Sequence, residues 1–174
     1  MKPAPPVLGF AAFSGTGKTT LLRNLIPLLA HHGLRTGVIK KAHHEFDIDI
    51  PGKASYELRK AGARQVLVAS SRRWALITET REAREPELDT LLARLDPEAL
   101  DLILVEGFRN VRFPRIELHR QALGHPVLHP DDPSILAVAC DYVLEAGDLP
   151  VLDINDPAAI AHFIVAWLNA DSRT

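Results

Sequence analysis

The stretch Ala12-Phe13-Ser14-Gly15-Thr16-Gly17-Lys18-Thr19 has the residue types and spacing of the Walker A pattern, with alanine in place of the first glycine. Gly15 and Gly17 let the chain curl so that successive backbone N–H groups point inward and form an anion nest. A helix beginning here adds its unpaired N–H groups and the positive end of its dipole. Within that cradle, formed by Ser14 to Thr20, Lys18 supplies a positive charge for the β- and γ-phosphates. Thr19 supplies a hydroxyl to Mg²⁺, and Thr20 one to the α-phosphate. The methyl of Ala12 needs only a little room at a strand end. The chemistry expected of the segment is therefore the grip of a nucleoside triphosphate with Mg²⁺.

Such a site needs a carboxylate on a neighbouring strand. Leu102-Ile-Leu-Val-Glu106-Gly107 is an apolar run ending in one, and Glu106 is expected to hold a Mg²⁺-bound water or polarise an attacking one. Asp101 is the rival, but it starts the strand, and ligands bind at the carboxyl ends of parallel strands. The segment Lys40 to Lys53 contains His43, His44, Asp47 and Asp49 and follows the second strand, where switch segments contact the γ-phosphate. Asp49, as a catalytic carboxylate, and Lys53 are its best candidates. A metal site from these histidines and aspartates has less support, because adjacent histidines rarely point the same way. Arg109, Arg112 and Arg115 follow Glu106 and are expected at the ligand-binding edge, against a phosphate or an acidic partner.

The elements that must position these groups alternate. Val7–Ala12 reads as a buried strand and Lys18–His32 as a helix stopped by Gly33, with Pro27 predicting a kink. Thr36–Lys40 is the second strand and Lys53–Ala61 a short helix. Gln65–Ala69 and Trp74–Thr80 form a hairpin through Ser70–Arg73. Pro86 opens a helix with Leu88, Leu91, Leu92 and Leu95 on one face. Leu102–Val105, Ile135–Ala139 and Pro150–Ile154 are further strands. Ile116 and Leu118, alternating with polar neighbours, suit a sheet edge. Asn155 or Asp156 caps a last helix with Ile160, Phe163, Ile164 and Trp167 facing inward. The expected fold is α/β of the P-loop NTPase type: a mostly parallel sheet flanked by helices, with antiparallel edge strands. Residues 1–174 are expected to form a single domain.

Bulk composition narrows the partners. A net charge of −2 gives no global attraction to nucleic acid or anionic membranes, and the 47% hydrophobic and 24% charged residues are ordinary for a globular chain. The single cysteine, Cys140, can form no internal disulfide, which points to the cytoplasm. The N-terminal apolar run is too short for a membrane span and lacks a signal-peptide layout.

The combination of GTGKTTL, GVIKKAHHEFDIDIPGKASYELRKAGA, DLILVEGF and FPRIEL resembles the MobB family of molybdopterin-guanine dinucleotide biosynthesis adapter proteins, from about Val7 to Leu118. The resemblance implies a GTP-binding homodimer with weak GTPase activity. Its implied partner is the guanylyltransferase that joins GMP to molybdopterin, with molybdopterin itself and molybdoenzyme chaperones as further candidates. In that frame Gly15 to Thr20 hold phosphates, Thr19 and Glu106 serve Mg²⁺, and His44, Asp49, Gly52 and Lys53 belong to a second motif. The arginines at 109, 112 and 115 could then meet a pterin phosphate. Ala54 stands where family members often carry aspartate. Two alternatives share the phosphate loop. A small-molecule kinase would need an arginine lid, for which Arg72–Arg73 or Arg81–Arg84 are poorly placed. A metal-delivery GTPase would need a Cys-x-His site, and Cys140 has no histidine beside it. Guanine preference is not written as an Asn-Lys-x-Asp motif. Asp141 and Asn155–Asp156 could contact a base, and capping explains the latter pair equally well.

Overall fold

The computed structural model describes residues 4–42, 46–80, 82 and 84–171. The chain divides into two compact units, Met1–Lys41 with Glu87–Thr174, and Ala42–Pro86.

The first unit is built on a six-stranded sheet. Its strands are β1 (Val7–Ala11), β2 (Thr36–Lys40), β5 (Leu102–Glu106), β6 (Arg115–His119), β7 (Ile135–Cys140) and β8 (Val151–Asp153), in the spatial order β2-β5-β1-β6-β7-β8. Every pairing is parallel, so all six strands end at the same edge. The apolar run of β5 is explained by burial on both faces. Leu102 and Leu104 join the core under helices α1 (Lys18–His31) and α4 (Pro157–Asp171), while Ile103 and Val105 pack with Leu88, Leu91 and Leu92 of helix α3 (Leu88–Leu92). Gly9 in β1 is required by a close approach: a Cβ there would lie 2.5 Å from the Phe113 ring.

Helix α1 buries Leu21, Leu22, Leu25 and Leu29 and stays continuous through Pro27. Pro27 and Arg23, whose carbonyl loses its bond, are both exposed, so the loss is not a buried unsatisfied group. Helix α3 is shorter than its leucine spacing predicts. Pro86 precedes its N-cap Glu87, and Leu95 lies beyond its end. At α4 the capping question resolves in favour of Asp156, whose Oδ1 accepts from the N–H groups of Ala158 and Ala159, both at 3.0 Å.

One strand departs from expectation. Arg115–His119 is not an antiparallel edge strand; it lies between β1 and β7, parallel to both, with all five residues buried. Its polar residues bond to other parts of the chain, leaving only Arg115 Nε without a hydrogen-bond partner among the described residues. Glu117 accepts from the backbone N–H of Leu128 (2.7 Å) and His129 (2.8 Å). His119 pairs through Nε2 with the His125 carbonyl (2.8 Å) and through Nδ1 with the Tyr142 hydroxyl (3.1 Å).

The second unit holds helix α2 (Ala54–Lys60) and the antiparallel hairpin β3 (Gln65–Ala69) and β4 (Trp74–Thr78), a separate two-stranded sheet. The hairpin is as expected, apart from an earlier end to its second strand. Phe46, Ile48, Ile50, Leu67, Trp74 and Leu76 are exposed in this unit.

Candidate functional site

The segment from Ala12 to Thr19 joins the carboxyl end of β1 to the first turn of α1. Gly15 and Gly17 both take left-handed backbone angles, φ 81° and 97°, as the nest geometry demands. Gly17 is the N-cap of α1 and brings no side-chain cap, so the first N–H groups of the helix have no partner within it. Thr16 is buried and its hydroxyl donates to the Phe13 carbonyl at 2.9 Å, which fixes the turn from inside. Ala12 is buried as well, consistent with room for its methyl. Ser14, Thr19 and Thr20 are exposed.

Lys18 Nζ lies over this loop and donates to the carbonyls of Ala12 and Phe13, each at 3.1 Å. Burial pushes its pKa below the ordinary lysine value; Glu106 works against this, and Arg109 and Lys40 add to it. Glu106 stands at the end of β5, paired in register with Phe10 of β1 and Lys40 of β2. Its Oε2 is 3.5 Å from Lys40 Nζ. Glu106 is thus paired with Lys40 and acts on Lys18 through its charge. Asp101, the rival, accepts from Arg35 Nε at 2.9 Å at the opposite end of β5.

After Glu106 the chain turns on two consecutive left-handed residues, Gly107 (φ 107°) and Phe108 (φ 59°). A Cβ on Gly107 would sit 2.8 Å from the Cβ of Lys41. The turn brings Arg109 back to the loop, where its Nη2 donates to the Ala12 carbonyl (3.0 Å) and its guanidinium lies 5.4 Å from the centre of the Phe13 ring. Arg115 does something else. Its buried guanidinium donates to the carbonyls of Phe108 (2.9 Å), Arg109 (3.3 Å) and Val111, and to Asp132 (3.3 Å). The expected row of three ligand-facing arginines thus reduces to one on the loop: Arg109 reaches it, Arg115 pins the backbone that carries Arg109, and Arg112 is exposed.

Sequence reasoning missed Arg120, the residue just past β6. Its Nε donates to the Thr16 carbonyl (3.1 Å), Nη1 to Asp141 Oδ2 (3.2 Å) and Nη2 to Asn155 Oδ1 (3.2 Å). It also missed His125, whose ring stacks on Phe13 at 4.4 Å. Reading Arg115–His119 as a parallel strand would have placed Arg120 beside the loop.

Asp49 lies in the second unit, where its carboxylate and those of Asp47 and Glu79 receive Arg59 (Asp49 at 2.7 Å, Glu79 at 2.8 Å). Hydrogen bonding to Arg59 holds the Asp49 pKa below the usual carboxylate value. Lys53 is the exposed N-cap of α2. His43 and His44 lie outside the described residues. Among the described residues no helix is long and apolar enough to cross a membrane.

Comparison with known proteins shows the family. The chain is 52% identical over 94% of its length, and 93% of the relative's, to the molybdopterin-guanine dinucleotide biosynthesis adapter protein of Escherichia coli. It is 44% identical to the adapter protein of the same name from Haemophilus influenzae, covering 94% of this chain and 90% of that one. Among solved structures, the crystal structure of a molybdopterin-guanine biosynthesis protein B superposes with a TM-score of 0.72 at 28% identity, over 94% of this chain and 99% of the other. Residues 7–141 match the family described as molybdopterin guanine dinucleotide synthesis protein B, and the chain belongs to that family, MobB.

Proposed function

We propose that this chain is a GTP-binding adapter in molybdopterin guanine dinucleotide biosynthesis, acting with the nucleotidyltransferase that attaches GMP to molybdopterin. The observation that carries the reading is the convergence of a doubly left-handed glycine turn, the first turn of α1, the Lys18 ammonium and the Glu106 carboxylate at one sheet edge. Backbone N–H groups between Ser14 and Thr20 cradle the phosphates, and Lys18 moves from two loop carbonyls to phosphate oxygens. Charge-assisted bonds of that kind are roughly twice as strong as neutral ones, so the exchange favours the polyanion. Arg109, beside Lys18 on the Ala12 carbonyl, is a second cation available to the same phosphates.

A hydroxyl on Thr19 and a carboxylate on Glu106 form the sparse oxygen donor set that suits Mg²⁺, which takes its remaining ligands from phosphate and water. Bound there, the ion would supply charge neutralisation to the triphosphate; hydrolysis is secondary to binding in this reading. Asp49 is read as the organiser of its own loop through Arg59, in preference to a proton-transferring group. Residues 1–174 are read as one P-loop domain in which the 42–86 unit is an insertion. The exposed apolar side chains of that unit support a homodimer, because a two-stranded hairpin is marginally stable by itself and a partner copy could cover them. A cytoplasmic location fits the buried thiol of Cys140.

Titration of the purified protein with GTP, ATP and GDP, with and without Mg²⁺, tests the reading. GTP is expected to bind best, with Mg²⁺ strengthening it, and Lys18→Ala to lose at least tenfold. Equal binding by the wild type and Lys18→Ala refutes the loop's role.

A further inference from the structure

We propose that Asp141 and Asn155, held in place by Arg120, form the reader of the nucleobase and select guanine. This rests on the triphosphate reading above and adds the part that the motifs leave blank. Arg120, Asp141 and Asn155 follow the carboxyl ends of β6, β7 and β8. Because the sheet is wholly parallel, those ends lie on the same edge as the end of β1, where the phosphate loop begins. Arg120 links the two regions physically, with Nε on the Thr16 carbonyl at 3.1 Å and its two terminal nitrogens on Asp141 and Asn155, each at 3.2 Å.

The orientation of the two reading groups is set by these bonds. The Asp141 carboxylate is fixed on its other oxygen by the backbone N–H of Gln121 at 3.0 Å. It accepts two bonds there and has lone pairs for two more. Asn155 is released from capping, since Asp156 caps α4. Its side-chain oxygen faces the Arg120 donor, which turns the amide NH₂ the other way. The pair thus presents an acceptor beside a donor. Guanine offers the matching set: N1–H and the 2-amino group for the carboxylate, and O6 for the amide NH₂. Adenine inverts it, with a lone pair on N1 toward the carboxylate and a 6-amino group toward another NH₂. Selection then comes from repulsion of the wrong base as well as attraction of the right one. The exposed carboxylate stays ionised at neutral pH, because the Gln121 N–H and Arg120 hold its pKa below the usual range.

Binding of fluorescently tagged GTP, ATP and XTP, with inorganic tripolyphosphate as competitor, tests this on the wild type, Asp141→Asn and Asn155→Ala. The wild type is expected to prefer GTP to ATP by at least tenfold. Asp141→Asn should lose at least tenfold for GTP and gain for XTP, whose C2 carbonyl accepts from the new amide. Asn155→Ala should lose a smaller factor, and tripolyphosphate should bind all three proteins alike. An unchanged GTP-to-ATP ratio in Asp141→Asn overturns the proposal. An equal loss of GTP, ATP and tripolyphosphate also overturns it, since Asp141 would then serve only to hold Arg120 on the loop. If the wild type binds tripolyphosphate but does not distinguish bases, the reader is refuted while the phosphate site stands. Failure to bind any triphosphate refutes both.

Discussion

Replacing Arg115 by methionine removes a charge and keeps most of the side chain's length, so it isolates what the guanidinium does. Three loop carbonyls and Asp132 receive it, and its flat face lies 4.6 Å from the centre of the Phe113 ring. Removing one partner of a buried ion pair costs about 3–5 kcal/mol, because the other is left uncompensated. Two features favour the lower end. The Asp132 side chain is 26% exposed, so water reaches it. Arg115 Nε is itself buried without a hydrogen-bond partner among the described residues, a cost that the variant relieves. A loss of about 3 kcal/mol in a chain of this size lowers Tm by about 6–12 °C. Circular dichroism melts and urea titrations measure it. Combining Arg115→Met with Asp132→Asn should recover about 1 kcal/mol, since the stranded charge is gone. Triphosphate affinity should fall as well, because the 108–112 backbone that carries Arg109 is no longer pinned. A Tm within about 3 °C of the wild type, or a double variant no better than the single one, would show that the loop is held by the burial of Phe108 and not by the guanidinium.

Gly107→Ala combines a disfavoured backbone angle with a clash against Lys41, and should cost about 2 kcal/mol in urea unfolding, whereas Gly33→Ala, with open space around it, should cost less. Acid should unfold the protein through specific carboxylates. Asp49 is held low by Arg59, and Asp141 by Gln121 and Arg120. At Asp132 burial raises the pKa but is outweighed by hydrogen bonds from Ser134 and the charge of Arg115. Their folded pKa values lie below the unfolded value of about 3.9. Their stabilisation is therefore complete above that value and is lost as pH falls below it, and a stability curve flat from pH 4 to pH 2 would contradict the assignment. Trp74→Lys should shift a homodimer toward monomer in sedimentation velocity while leaving the fold of the first unit, read by its melting transition, intact.

The phosphate loop, β1, α1 and β5 were legible because each rests on a local signal: glycine spacing, helical leucine periodicity, or an apolar run long enough for a strand. Glu106 and Asp101 could be told apart by chain direction alone. The misreading of Arg115–His119 has a physical cause. Alternation of Arg, Ile, Glu, Leu and His is what a half-wet edge strand shows, and the groups that satisfy the polar residues lie at 108–111, 125, 128–129 and 132, beyond the reach of any local pattern. The same error hid Arg120. Asp49 and Arg59 are ten residues apart, across a loop and a helix, and no periodicity announces such a pair.

The polar side of β6 has a structural consequence of its own. Arg115, Glu117 and His119 each fasten a different stretch of backbone, and the intervening Ile116 and Leu118 fill the layer beneath α1 and α4. Sliding this strand by one residue would drive three hydrophilic groups into an oily layer and leave three backbone segments untied at once. Misalignment is therefore penalised on both sides of the sheet together, which makes the strand a self-correcting ruler for everything hung along its edge.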